Sequence, residues 1–148
     1  MGKKKTNREE IKGQKKTVKD DSVGSWKKEY PVWRFGKHDK EHEKWSLKKA
    51  NLYDSIILKL SSYETMTWLE IDTSTHDKGK SKNHWVDVKN FIKEAKDRLQ
   101  HLNIENDTLY SFALTNKLRL YGILEAGVYN IVWCDQNHEI YPSKKKNT

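Results

Sequence analysis

The residues best suited to chemistry fall in the second half of the chain. A polar loop, TSTHDKGKSKNHW, carries His76, Lys78, Lys80 and Lys82 and delivers His84 and Trp85 to the element that follows. Arg119 interrupts an alternating apolar run, KLRLYGIL, two residues after Lys117. His138 and Tyr141 lie in CDQNHEIYPS, just ahead of Lys144–Lys146. A guanidinium offers a planar fork of donors that matches a phosphate, and aromatic rings beside it give bases a surface to stack on. An imidazole exchanges its proton near neutral pH. Cleavage of RNA through its own 2′-hydroxyl needs a base for that hydroxyl, a cation for the phosphorane charge and an acid for the leaving oxygen. Arg119 suits the charge and His84 the base, with His138 and Tyr141 in reserve. Lys78, Lys80, Lys82 and Lys117 would form an electrostatic rim, and Trp85 a stacking platform.

Each of these residues has a plainer reading. Arg119 can close the margin of a sheet by stacking on Trp133 or pairing with Glu125. A Lys/Gly/Ser loop is ordinarily solvated, and a histidine after Asp-Gln-Asn can do no more than bond its own turn. Metal chemistry finds less support. His38 and His42 share a spacing of four with Cys134 and His138, but no paired Cys-x-x-Cys or His-Glu-x-x-His accompanies them. No Gly-rich phosphate loop and no nucleophile elbow is present. No metal and no cofactor is expected.

The elements that must position these groups are legible in outline. YPVWRFG (residues 30–36) is rich in β-formers, and KHDKEHEKWS follows as a polar, charged connection. Leu52, Ile56 and Leu60, with Tyr53 and Ile57 beside them, mark an amphipathic helix. Thr67-x-x-Glu70 is a capping box that starts a short second helix near Trp68. A brief strand is expected over His84–Val88, then a helix with Phe91, Ala95 and Leu99 on one face. TLYSFALT, KLRLYGIL, GVYNIVWC and HEIY alternate as half-buried strands, with Glu125-Ala126-Gly127 as a hairpin link. Alternation puts Leu118, Leu120, Gly122 and Leu124 on one face and Arg119, Tyr121 and Ile123 on the other. Tyr129, Ile131 and Trp133 are expected across the hairpin on the matching face, and Cys134 with Val128 and Val132, buried and inert. Helices toward the front and strands at the end predict an α+β domain: a small antiparallel sheet packed on two or three helices.

Composition sets the boundaries. Of the net charge of +8, residues 1–25 supply +4 (eight basic, four acidic) and contain no aromatic residue. Such a segment buries too little apolar surface to offset its ordering entropy and reads as a disordered basic tail. All six Trp, seven Tyr and three Phe lie beyond it, which gives one domain over residues 26–142 and a basic C-terminal tail over 143–148. The excess positive charge favours an anionic partner such as nucleic acid. No apolar run is long enough to span a membrane, and the Lys-rich start lacks the apolar stretch of a secretory signal. Met-Gly with Thr6 fits the myristoylation pattern, although Lys-rich openings are common. One cysteine suits a reducing compartment, so a cytoplasmic location is expected.

The stretch RLYGI…GVYNIVWCDQNHEIY, within Leu109–Tyr141, resembles the meander of the RelE/ParE/HigB superfamily of bacterial toxins. Likeness to RelE or HigB implies cleavage of ribosome-bound mRNA and an antitoxin protein as partner. Likeness to ParE implies action on gyrase. The strand arginine of that pattern falls on Arg119 and the terminal aromatic on Tyr141. The chain is longer than a typical member and inserts the His- and Lys-rich loop. The expected function is thus a metal-independent, toxin-like endoribonuclease. The alternative is a non-catalytic nucleic-acid- or protein-binding accessory of a phage-defence system or mobile element.

Overall fold

A computed structural model describes residues 24–74 and 82–142. The expected tails and the loop residues His76, Lys78 and Lys80 lie outside this range, apart from Gly24 and Ser25. These two open a 3-10 turn over Gly24–Lys28.

The domain is α+β, built on one five-stranded sheet. Its strands are β1 (Val32–Arg34), β2 (His84–Asp87), β3 (Thr108–Ala113), β4 (Arg119–Glu125) and β5 (Val128–Asp135), in the spatial order β1-β5-β4-β3-β2. Strands β3, β4 and β5 form the expected antiparallel meander, and β2 adds to β3 antiparallel. The sheet is mixed rather than purely antiparallel, because β1 pairs parallel with β5, Val32 opposite Val128. The long helical crossover between β1 and the meander makes a parallel partner reachable.

The β4–β5 hairpin turns through Ala126 and Gly127, both with positive φ (49° and 84°). Such a turn follows the natural twist of the two strands. The Gly127 carbonyl accepts from the Trp68 indole at 2.9 Å, which ties the hairpin to the helical layer. Farther along, Val132 is an extra residue: Tyr121 faces Trp133, whereas Gly122 faces Ile131. This bulge corrects the expectation from strict alternation. Trp133 and Val132 join the Arg119 face, while Tyr129, Ile131 and Cys134 pack on the other. At Gly122 a Cβ would lie 2.5 Å from the Asn130 carbonyl and 2.7 Å from the Tyr129 ring. Only glycine lets that ring cross the strand.

Helices cover both faces. On one side lie a π-helical turn (Leu52–Ile57) continuing into α1 (Leu58–Tyr63), and α2 (Trp68–Thr73). They bury Ile56, Leu60, Tyr63, Trp68 and Ile71 against Tyr110, Phe112, Leu120 and Tyr129. The π turn rotates the stripe, so Leu52, Tyr53 and Ile57, expected at or beside the core, are exposed. The capping box forms as read, with Thr67 N–H donating to Glu70 Oε1 at 2.8 Å. On the other side α3 (Lys93–His101) buries Ala95 and Leu99, joined by Phe91, against Leu109, Tyr121, Ile123 and Trp133. Residues 138–141, expected as a strand, form no ladder. Ile140 is buried, its N–H donating to Asp135 Oδ2 at 2.7 Å and its carbonyl accepting from Ile92 N–H at 3.0 Å.

The connection after β1 is not a solvated linker. Asp39 is fully buried and takes two hydrogen bonds from Arg98 (2.7 and 2.8 Å) and one from the Trp133 indole (2.9 Å). Burial alone would push its carboxyl up. The bonds from Arg98, Trp133 and the N–H groups of Glu41 and His42 outweigh burial and hold it far below the usual carboxylate range. His42 stacks on Trp45 at 4.2 Å between ring centroids, while its Nε2 lies 3.1 Å from Glu94. The histidine is thereby a fitting of the core.

Candidate nucleic-acid interface

Sheet topology gathers most of the candidate residues at one end of the α3 side. Strand β4 begins there with Arg119, β5 ends there with Asp135, and the β3–β4 turn carries exposed Lys117. Because β2 runs antiparallel to β3, its first residue, His84, lies at the same end. Across the sheet His84 faces Ser111, which faces Tyr121, which faces Trp133. Arg119 sits one pleat away on the same face, opposite Ala113 and Asp135. Strand spacings place the His84 and Arg119 α-carbons roughly 12 Å apart.

Arg119 is half-buried, and its Nη1 donates to the carbonyls of Thr115 (2.8 Å) and Leu118 (3.2 Å). Among the described residues it makes no ion pair, and its Nε and Nη2 have no hydrogen bond. The expected pairing with Glu125 is ruled out by position, since that residue sits at the far end of β4. Burial lowers the guanidinium's pKa, and the nearby Tyr121 and Asp135 offset this only in part. The group nevertheless stays cationic at neutral pH, because an arginine is not deprotonated in proteins. A partly dehydrated cation with donors to spare gains more from an arriving anion than a hydrated one does.

His138 follows the β5 turn with φ 57°. Burial lowers its pKa, and the Arg119 charge lowers it further. The ring is therefore neutral at pH 7 and able to accept a proton. Tyr141, half-buried, meets Phe91 edge to face at 6.2 Å, and Phe91 in turn packs on Tyr121. Asp135 is fully buried; burial raises its pKa, and its Oδ1 has no partner among the described residues. The turn chemistry read from Asp-Gln-Asn is present, with Asp135 capping the residues that follow.

Not every candidate joins this group. His84 shares the face, but its Nδ1 lies 3.1 Å from the carbonyl of Trp85. Trp85 points to the opposite face and packs on Tyr110 at 5.3 Å, which separates its ring from the Arg119 end. Lys82 is half-buried where the loop re-enters the sheet, its N–H bonded to the Ser74 carbonyl at 3.1 Å. Sequence reasoning missed Asn83, which fixes that entry point. Its buried amide accepts from Ala113 N–H at 3.0 Å and donates toward the Ile71 carbonyl and the Tyr63 hydroxyl. Nothing in the spacing around Asn83 announces such a role. Asp135 was visible, though only as a turn residue.

Among the described residues, no three His, Cys, Asp or Glu side chains converge as metal ligands. Cys134 is buried, and burial pushes its thiol up to about 12. No helix among these residues is long and apolar enough to cross a membrane.

Fold and site together define an α+β protein with helices on both faces of a mixed sheet and, at one sheet end, an arginine without an ion pair among the described residues. The chain belongs to the family described as Uncharacterised protein UU032, whose model matches residues 22–148. No curated protein and no solved structure matches it.

Proposed function

We propose that this protein is an RNA-binding endoribonuclease of the toxin type, working with side chains alone. The observation that carries the reading is Arg119: half-buried, without a carboxylate partner among the described residues, close enough to His138 to act on its charge, and on one sheet face with the start of β2. In this scheme Arg119 holds the scissile phosphate and meets the phosphorane charge. His138, neutral and electrostatically coupled to Arg119, removes the 2′-hydroxyl proton. Tyr141 protonates the leaving oxygen, while His84, two strands away, contacts the neighbouring nucleotide. The likeness of Leu109–Tyr141 to the RelE/ParE/HigB meander supports the same reading and implies ribosome-bound mRNA and an antitoxin as partners. The net charge of +8 suits such a target.

The decisive test incubates purified full-length protein with RNA in EDTA, alongside Arg119→Ala. Cleavage that persists in EDTA and vanishes in the variant supports the proposal. Cleavage equal in both proteins refutes it.

A second reading, non-catalytic nucleic-acid binding, is favoured by the roughly 12 Å between His84 and Arg119, which is wide for two groups sharing one phosphate. It predicts RNA retention with a steep salt dependence and intact product-free RNA after long incubation. A gyrase inhibitor like ParE would leave RNA intact and block supercoiling.

A further inference from the structure

The loop that leaves β1 raises a separate question: why hold a lysine-bearing segment with a buried ion pair? Removing charges from water is costly, and the Asp39–Arg98 pair recovers that cost only through near-complete hydrogen bonding. What it secures is the path of residues 36–40. Asp39 N–H also donates to the Val132 carbonyl at 2.9 Å, and His38 N–H to the Phe35 carbonyl at 3.1 Å. The His38 ring is fixed by Nδ1–H donating to the same Phe35 carbonyl. Lys37 and Lys40 flank this anchored point and stay exposed.

Together they edge an open cavity of about 370 Å³ between the loop and the end of α3. Its apolar part is Leu102, Ile104 and Ile123, and Asn103 and Asn106 add amides to the lining. None of the described residues lining it is acidic, and Asp39, the buried acid of the loop, is already paired with Arg98. The end of α3 would ordinarily repel an anion through its bare carbonyls. Here the N–H groups of Leu102, Asn103 and Ile104 already occupy the carbonyls of Arg98, Gln100 and Leu99, at 2.9, 3.0 and 2.9 Å. Lys37 and Lys40 are thus the permanently charged side chains in the lining, with exposed Glu105 and Asp107 beside Asn106 in the chain.

We propose that this cavity binds a nucleoside monophosphate unit, with the phosphate on Lys37 and Lys40 and the ring on Leu102, Ile104 and Ile123. The two asparagines face the base edge, where amides can both donate and accept. The volume lies in the range of small-ligand sites, and the site is independent of the Arg119 reading. The unit can arrive as a free nucleotide or as one residue of a longer strand.

Amide NMR titrations of the full chain distinguish these cases, using AMP, adenosine, inorganic phosphate and a tetranucleotide. The expected result is saturable shifts at Gly36, Asn103 and Asn106 with AMP, weakened about tenfold by Lys37→Ala/Lys40→Ala. Asn106→Trp, checked for folding, should fill the cavity and abolish the response. AMP binding much tighter than tetranucleotide binding assigns the free nucleotide, and the reverse assigns a strand. The proposal is overturned by absence of saturation at about 10 mM AMP, by an unchanged affinity in the double lysine variant, or by phosphate alone matching AMP.

Discussion

Two arginines on the same side of the sheet have opposite circumstances. Arg98 is held bidentately: both oxygens of buried Asp39 accept from its Nε and Nη2, and the Trp133 indole also donates to that carboxylate. Arg119 is spent only on two backbone carbonyls of its own turn. Its register neighbour Asp135 is buried, yet uses its carboxylate to cap the following turn. The first arginine is answered by structure. The second is left, among the described residues, with donors that have no hydrogen bond, and the difference separates a residue that holds the fold from one that the proposed function assigns to an outside anion.

The comparison can be broken most sharply at Asp39. Asp39→Ala strands the Arg98 charge and should cost about 3–5 kcal/mol of stability, read from chemical denaturation. Because the Asp39 pKa is depressed in the fold, its stabilisation is complete above the unfolded value of about 3.9 and fades as pH falls below it. Asp39→Asn should therefore flatten the loss of stability between about pH 4 and pH 2. If both variants match the parent protein, the Arg98 side is not a structural anchor.

Arg119→Ala should behave in the opposite sense. We expect a loss of about a thousandfold in RNA cleavage, with stability changed by less than about 1 kcal/mol. Destabilisation as large as that of Asp39→Ala would erase the contrast. A smaller effect is expected at His138, whose pKa is lowered by burial and by Arg119. The acid limb of cleavage should lie below the ordinary value of about 6.5, and His138→Gln should remove that limb while lowering the rate about a hundredfold. The sign for stability follows: the unfolded chain takes up this proton more readily, so the fold weakens as pH drops through about 6.5. Smallest of all, Lys117→Ala should weaken RNA binding about twofold and reduce the salt slope by about 0.7.

How much of this was readable in advance depended on distance along the chain. The capping box at Thr67 and Glu70, the meander and the Ala126-Gly127 turn are local patterns, and each formed where its residues indicated. The faces of β4 were also correct along its length, with Leu120 and Leu124 on one side and Tyr121 and Ile123 on the other. In β5 the Val132 bulge breaks the alternation, and apolar neighbours on both faces leave no sequence trace of the slip. Asp39 was hidden for a different reason. Within KHDKEHEKWS it is one charge among many, and only Arg98 and Trp133, far along the chain, distinguish it from its solvated neighbours. HEIY alternates as a strand does, but Asp135 captures its backbone into a turn. The candidate site was thus legible as residue types and unreadable as a grouping: Trp85 falls on the wrong face, and the roles of Asn83 and Asp135 arise from contacts between elements.

The parallel strand β1 carries a kinetic consequence. Strands β3, β4 and β5 pair with sequence neighbours through short turns, so their loops close early and at small entropic cost. The three residues of β1 must find Val128–Asn130 across almost a hundred intervening residues. Assembly should accordingly proceed from the C-terminal hairpins outward, with Val32–Arg34 the last rung to lock and the first to let go.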